Sequence, residues 1–253
     1  MELSIHTFLI VCPFLFLAGF VDSIGGGGGL ISIPAFLMAG LPPHAAVATN
    51  KLSAFGGLSL STMHFFKNKC ISIKLAIPSV IAAILGSSIG AHLSLMVDEK
   101  IMTWVLVLAL PVAAFFVLNK KLFNDNGKDL VTLDNKTIFI ATLSAFVFGM
   151  YDGFYGPGTG TFLIIAFTCF AGLSMKSANG QAKVINLTTN ITSLIVFLLN
   201  GQVIIAVGLA GCAANMLGGY LGAVLALKNG SKIVKPIILF VLCLLFIKVT
   251  GII

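Results

Sequence analysis

One pattern of residues occurs twice along this chain, and that duplication constrains its fold more than any other feature. With a shift of 132 positions, Gly40, Leu41, Ala46, Lys51, Ser61, Phe65, Asn68, Gly86, Gly90 and Ala91 fall on Gly172, Leu173, Ala178, Lys183, Ser193, Phe197, Asn200, Gly218, Gly222 and Ala223. Near the start of each copy the shift is 130: Gly19, Asp22, Gly26 and Gly28 fall on Gly149, Asp152, Gly156 and Gly158. Whatever one copy folds into, the other must fold into as well.

Composition then decides the solvent. Hydrophobic residues make up 58% of the chain and charged residues 9%, whereas a soluble domain is roughly a quarter charged. Apolar runs such as 77–95 and 101–118 are long enough to cross a bilayer. Lipid offers the backbone no hydrogen-bond partner, so only helices or closed barrels span it. These runs are too long and too continuous for the alternating strands of a barrel. A polytopic helical membrane protein follows, and a soluble enzyme is excluded.

The net charge is +7, and all 15 basic residues are lysines. They are scattered over short loops, which fits membrane topology and not a nucleic-acid interface. The five cysteines (Cys12, Cys70, Cys169, Cys212 and Cys243) form no metal pattern and read as packing residues. His6, His44, His64 and His92 have no carboxylate or cysteine at ligand spacing, so no metal is expected. Nucleophile–base pairs, Walker loops and cofactor fingerprints are lacking in the sequence, so no cofactor is expected either. The N-terminal stretch has no basic leader and reads as a first membrane segment, not a removable signal.

Ten apolar segments are expected, five per copy: 7–21, 30–40, 45–66, 73–94 and 101–118, then 137–151, 161–172, 178–199, 203–227 and 235–251. Residues 1–118 form the first repeat, 119–136 a cytoplasmic linker and 137–253 the second repeat. The first two segments of each copy are short: about 15 and 11 helical residues cover about 22 and 17 Å, against roughly 30 Å of hydrocarbon. Each such pair is either a broken or re-entrant Gly-rich hairpin or two tilted spans; three transmembrane helices follow. Eleven of the 15 lysines then fall on one face, which makes that face cytoplasmic and puts both termini in the periplasm. Five segments is an odd number, so the two repeats are inverted. Inverted repeats with interrupted helices are an architecture of secondary transporters.

Two sets of residues carry chemistry. The first is Asp22 followed by Gly25, Gly26, Gly27, Gly28 and Gly29, matched by Asp152 followed by Gly156, Pro157, Gly158, Thr159, Gly160 and Thr161. Five successive glycines destabilise a helix interior by about 1 kcal/mol each against alanine, and Pro157 removes a donor. Interrupted backbone at membrane depth survives only buried in protein or along a cavity. Its freed N–H groups, beside a helix N-terminus, suit an anion, and the Thr159 and Thr161 hydroxyls offer further donors. The competing explanation is close helix packing through small residues; packing is the favoured one for Gly86, Gly90, Gly218 and Gly222. The second set is Asn50, Lys51 and Lys183, with Gln181, Asn186 and Asn190. A charge at mid-membrane costs about 2.5–3.5 kcal/mol on insertion scales. The lysines either attract an anion, pair with Asp22 and Asp152, or snorkel to an interface. Asn186 and Asn190, at i and i+4, put a polar stripe on one face that belongs against protein or a cavity. Asp22 and Asp152 act as proton or cation coupling groups or as structural braces.

At these residues the chain resembles the sulfite exporter TauE/SafE family, also called the 4-toluene sulfonate uptake permease family, in its branch of bacterial probable membrane transporters. The likeness rests on residues 22–30 with Ile33 and Pro34, on 39–43, on Ala48, Thr49, Asn50 and Lys51, on 151–160 and on 182–187. It implies an inner-membrane permease for a small anion such as sulfite or a sulfonate, with the lipid bilayer and that anion as partners. Substrate identity, direction, coupling ion and oligomeric state are left open. An uncoupled anion channel and a non-transporting accessory subunit are the alternatives.

Overall fold

The computed structural model describes residues 5–98 and 134–230, together with residues 232–237, 239, 240 and 243. The described residues are helical throughout, with short turns between. They form α1 (Ile5–Gly25), α2 (Gly29–Met38), α3 (Pro43–Lys67), α4 (Ile73–Ser94), α5 (Asn135–Phe154), α6 (Thr159–Cys169), α7 (Met175–Leu199) and α8 (Ile205–Asn229). The expected segment 101–118 and most of the linker lie outside the described residues.

Local chemistry explains where the helices start and stop. Pro43 opens α3 from Pro42, its missing N–H lost where no helical acceptor exists anyway. Asp134 caps α5, its carboxylate accepting from the Thr137 amide at 2.8 Å. Gly26 and Gly27 interrupt the first half with φ of 80° and 85°, and Gly156 and Gly158 interrupt the second with 100° and 86°. These are left-handed conformations that glycine adopts without a Cβ penalty.

Among the described residues, five helices are long and apolar enough to cross a membrane: α1, α4, α5, α7 and α8. The 25-residue α3 is about 37 Å long at 1.5 Å per residue and is the repeat partner of α7. One expectation is corrected here. The first segment of each copy is not short, since α1 has 21 residues and α5 has 20. Each continues through its aspartate because that carboxylate finds partners inside the protein. Of the eight helices above, α2 and α6, with 10 and 11 residues, are too short to span.

Small residues set the helix contacts, and each half packs on the other. Gly218 and Gly222 of α8 lie against the carbonyls of Phe16 and Phe20 in α1. Gly86 and Gly90 of α4 lie against those of Phe146 and Met150 in α5. A Cβ at any of the four would overlap those backbone atoms, so the expected packing role of both pairs holds. Residue numbers rise together across each contact, so α1 runs parallel to α8 and α4 parallel to α5. Leu52 and Gly57 of α3 meet Gly208 and Gly219 of α8 in the same sense. The outer surface is apolar, with Ile73, Ile77, Ile81 and Leu85 exposed along one stripe of α4.

Lysines gather at one end of this bundle. Gly180 packs on Cys70, Gln181 Nε2 donates to the Ser72 carbonyl at 3.0 Å, Thr137 Oγ1 donates to the Ala171 carbonyl at 3.2 Å, and Gly230 meets the Lys176 side chain. Those contacts bring Lys67, Lys69, Lys74, Lys136, Lys176 and Lys228 to the same end.

Gly90→Leu and Gly222→Leu should each drive two backbones apart, an overpacking cost of about 1–3 kcal/mol. At about 2–4 °C per kcal/mol for a chain of this size, the unfolding midpoint in detergent should fall by several degrees. Leu85→Ile, on the exposed stripe, should leave it unchanged. An unchanged midpoint in both glycine variants would contradict this packing.

Candidate functional site

The two backbone interruptions touch each other in the protein interior. Gly26 lies so close to Gly160 and Thr161 that no Cβ would fit. Thr161 Oγ1 donates to the Gly25 carbonyl at 2.7 Å, and Asn179 Nδ2 donates to the Ile24 carbonyl at 2.8 Å. The end of α1 is thereby tied to α6 and α7 of the other half. Tyr151 supports the second interruption, its hydroxyl donating to the Pro157 carbonyl at 2.6 Å.

The buried lysines belong to this junction. Lys51 and Lys183 are each the ninth residue of a 25-residue helix, α3 and α7 respectively, about 12 Å in from its start. Both are buried, at 1% and 0% exposure. Each pairs with the aspartate of the opposite half. Lys51 Nζ lies 2.9 Å from Asp152 Oδ2 and donates to the Asp152 carbonyl at 2.7 Å. Lys183 Nζ lies 3.4 Å from Asp22 Oδ2 and donates to the Asp22 carbonyl. The other Asp22 oxygen accepts from the Gly28 amide at 3.0 Å, bridging the first interruption. Of the three sequence alternatives for the lysines, pairing describes the geometry and snorkelling does not.

Beside the pairs lies a small cavity of about 30 Å³, room for two waters at about 10–15 Å³ each. Asp22, Gly27, Gly28, Gly29, Asn50, Lys51, Asp152, Gly156, Gly158, Thr159, Gly160, Asn186 and Asn190 line it. Of the residues singled out from sequence, Gly25, Gly26, Pro157, Thr161 and Lys183 do not; they sit behind the wall and hold it. The expected hydroxyl donors are corrected as well. Thr159 Oγ1 donates to the Gly156 carbonyl at 2.8 Å, so both threonine protons are already committed to backbone oxygens.

Donors facing the cavity come instead from amides. Ser32 Oγ lies 2.5 Å from Asn50 Oδ1, which turns Asn50 Nδ2 toward Gly29. Asn186 Nδ2 faces Gly160. Neither Nδ2 has an acceptor among the described residues, and the same holds for the Gly158 and Gly160 amides. The two ion pairs are formally neutral, so these donors and the remaining Lys51 proton carry the attraction for a negative group.

Sequence reasoning missed Ser32, Ala54, Leu58 and Asn215 in the wall. Ala54 and Leu58 are the repeat counterparts of Asn186 and Asn190, so their positions follow from the 132-residue shift. Asn215 has no such signal, because its counterpart is Ala83. It packs on Gly19 and Gly57 and donates from Nδ2 to the Leu15 carbonyl at 3.1 Å.

Residues 11–249 match the family described as Sulfite exporter TauE/SafE. The chain belongs to the sulfite exporter TauE/SafE family. A probable membrane transporter protein of Haemophilus influenzae is 35% identical over 94% of this chain and 92% of its own length. The probable membrane transporter protein YfcA of Escherichia coli is 37% identical over 89% and 82%. The probable membrane transporter protein ORF9 of a Sinorhizobium species is 33% identical over 99% and 95%. No solved structure matches the chain. The family resemblance expected from the two Asp–Gly loops and from Asn50 and Lys51 therefore holds, and those residues cluster at one interior junction of this TauE/SafE protein.

Removing one member of a buried pair leaves an uncompensated charge at a cost of about 3–5 kcal/mol. Lys51→Met should therefore lower stability strongly, and Lys51→Met with Asp152→Leu should recover most of the loss, as read by unfolding in detergent. Additive single effects would show that the pair is not coupled.

Proposed function

We propose that this protein is a secondary transporter of the bacterial inner membrane that carries a small organosulfur or related anion, such as sulfite or a sulfonate, by alternating access. The observation that carries this is the cavity where two interrupted helices meet, lined by unpaired amide donors and Lys51 and flanked by charge-neutral Lys–Asp pairs. Preorganised donors in a water-poor site hold an anion far more strongly than the same donors in bulk water. The family description and the bacterial relatives support the transporter class and the membrane.

Alternating access draws support from helix direction. Five-residue turns reverse the chain between α3 and α4 and between α7 and α8. With the parallel contacts described above, α1, α3 and α8 run one way and α4, α5 and α7 the other. The first helix of each repeat is then antiparallel to its counterpart, as an inverted pair of repeats (1–118 and 137–253) requires. The lysine-rich end is the cytoplasmic one, which places both termini in the periplasm. Gly27, Gly28, Gly29, Asn50, Lys51, Gly158, Gly160 and Asn186 bind the anion, while Gly25, Gly26, Pro157, Thr161 and Lys183 shape the loops that present them. Asp22 and Asp152 couple transport to a proton or cation, or brace or gate by exchanging partners; the Asp22 side chain, 17% exposed, is the more open of the two. An uncoupled channel of the same architecture is the second reading, and saturation of uptake separates the two.

Purified protein in liposomes should take up labelled sulfite or a small sulfonate with saturating kinetics. Asn186→Leu removes a donor but no charge and should slow uptake at least tenfold while the unfolding midpoint shifts by only a few degrees. Non-saturating flux in the unaltered protein would support a channel, and saturable uptake unchanged in Asn186→Leu would remove this site from the pathway.

A further inference from the structure

Both ion pairs join one group of helices to another, and they do so at different depths. Glycine contacts bind α1, α3 and α8 into one group. Gly86, Gly90 and Gly153, with Ser87 Oγ donating to the Thr189 carbonyl at 2.9 Å, bind α4, α5 and α7 into a second. Lys51 and Asp22 belong to the first group, Asp152 and Lys183 to the second.

Depth follows from helix direction. Lys183 is about 12 Å from the start of α7, at the lysine-rich end, and Lys51 is about 12 Å from the start of α3, at the opposite end. One contact between these helices fixes the offset: Thr62 Oγ1 donates to the Lys183 carbonyl at 3.2 Å. Thr62 is 11 positions past Lys51 on α3, so the lysines lie about 16 Å apart along the helices at 1.5 Å per residue. The aspartates agree. Each is the eighteenth residue of its helix, which carries Asp22 toward the lysine-rich end and Asp152 toward the other. Ala54, Leu58, Asn186 and Asn190 all fall between the two levels, so the cavity lies between the pairs.

An equivalent contact sits outside each pair. Two positions before each lysine stands a buried polar residue, Thr49 or Gln181. Thr49 Oγ1 accepts from the Ile204 amide at 3.0 Å, where α7 turns into α8, and Gln181 Nε2 donates to the Ser72 carbonyl at 3.0 Å, where α3 turns into α4. The 132-residue shift carries Thr49 onto Gln181 and Ser72 onto Ile204. Each end of the cavity is therefore closed by the same layers: a turn, a polar residue and a Lys–Asp pair.

We propose that the two pairs are the two gates of the pathway: Lys183–Asp22 closes the cavity toward the lysine-rich end, and Lys51–Asp152 closes it toward the opposite end. This rests on the alternating-access reading above and assigns its moving contacts. With both pairs formed, the cavity is shut at both ends and has room only for water. Entry from one end separates one ammonium from its carboxylate while the other pair stays closed. An arriving anion takes the place of that carboxylate beside the lysine, whereas a neutral solute leaves the charge uncompensated.

The sidedness of a cavity thiol tests this without any substrate. Ala54→Cys puts a thiol in the cavity wall, Lys69→Cys marks the lysine-rich end, and the unaltered chain gives the background from its own five cysteines. Right-side-out and inside-out vesicles are treated with a membrane-impermeant maleimide. With Asp22→Asn added, Ala54→Cys should label about tenfold faster than alone, from the side that labels Lys69→Cys. With Asp152→Asn added, the gain should come from the other side. Exchanging the charges, Lys51→Asp with Asp152→Lys, should bring labelling back to the level of Ala54→Cys alone. A gain from the wrong side, from both sides or from neither overturns the proposal, and each aspartate variant decides this alone where the other does not fold. A wrong-sided result beside saturable sulfite uptake removes only the gates. Non-saturating uptake removes the transporter reading, whatever the labelling shows.

Discussion

Everything at the centre of this protein depends on two lysine–aspartate pairs that cross between its halves. A lone ammonium or carboxylate in the hydrophobic interior of a membrane protein is strongly unfavourable. Lys51 on α3 meets Asp152 at the end of α5, and Lys183 on α7 meets Asp22 at the end of α1. Neither half can satisfy its own charges in this arrangement. The pairs therefore do more than neutralise: they tie the end of each interrupted helix to a long helix of the other repeat. Asp22 shows how economical this is, since one carboxylate bridges the Gly28 amide and the Lys183 ammonium. The glycines then become a geometric necessity. Left-handed backbone at residues 26, 27, 156 and 158 lets the chain turn, and the absence of Cβ atoms lets the two turns touch.

That neutrality shapes what the cavity can recognise. Two positive and two negative groups cancel, so a diffuse positive field is not what would draw an anion in. In the proposed function short-range donors would do the selecting instead, and these reward geometry as well as charge. In the proposed cycle the pairs also set a barrier. Opening either side must separate or swap charges that are costly to leave alone, which favours two closed arrangements over a continuum. The Asp22–Lys183 ion pair is the longer of the two, at 3.4 Å against 2.9 Å.

Much of this was legible in the sequence, for physical reasons that can be named. The repeat is visible because glycine, aspartate and lysine have few substitutes at a backbone interruption or a buried pair. Five successive glycines announced the first interruption, and a proline among glycines the second. The polar stripe of Asn186 and Asn190 announced a cavity, since lipid would not tolerate it. Other features were hidden. Asp22 and Asp152 looked like helix breakers' neighbours, but their carboxylates find partners that keep the last helical turn intact, so α1 and α5 are longer than their apolar runs. Which lysine meets which aspartate depends on contacts 101 and 161 residues apart along the chain, and no local pattern encodes that choice. Thr159 and Thr161 looked like ligand donors, yet a hydroxyl beside an interrupted backbone finds a freed carbonyl first. Asn215 escaped notice because the duplication that revealed everything else gives it only Ala83 as a counterpart.

The departures from symmetry are where function has been written onto the duplicated frame. Two identical repeats would enclose a cavity with the same chemistry on both walls, and a ligand could sit in it either way round. Here the frame is kept: Lys51 matches Lys183, Asp22 matches Asp152, and Gly26 and Gly28 match Gly156 and Gly158. The lining is not kept. Asn50 faces Ala182 in the alignment of the repeats, Asn186 faces Ala54, and Asn190 faces Leu58. Each exchange replaces a group that can hydrogen-bond with one that cannot, so the polar surface is split between the start of α3 and the middle of α7. A ligand with one polar pole and one less polar side has a single best orientation in such a cavity. In the proposed alternating-access cycle it would keep that orientation whichever side of the membrane the cavity faces, because the Lys–Asp pairs are matched between the halves while the walls are not.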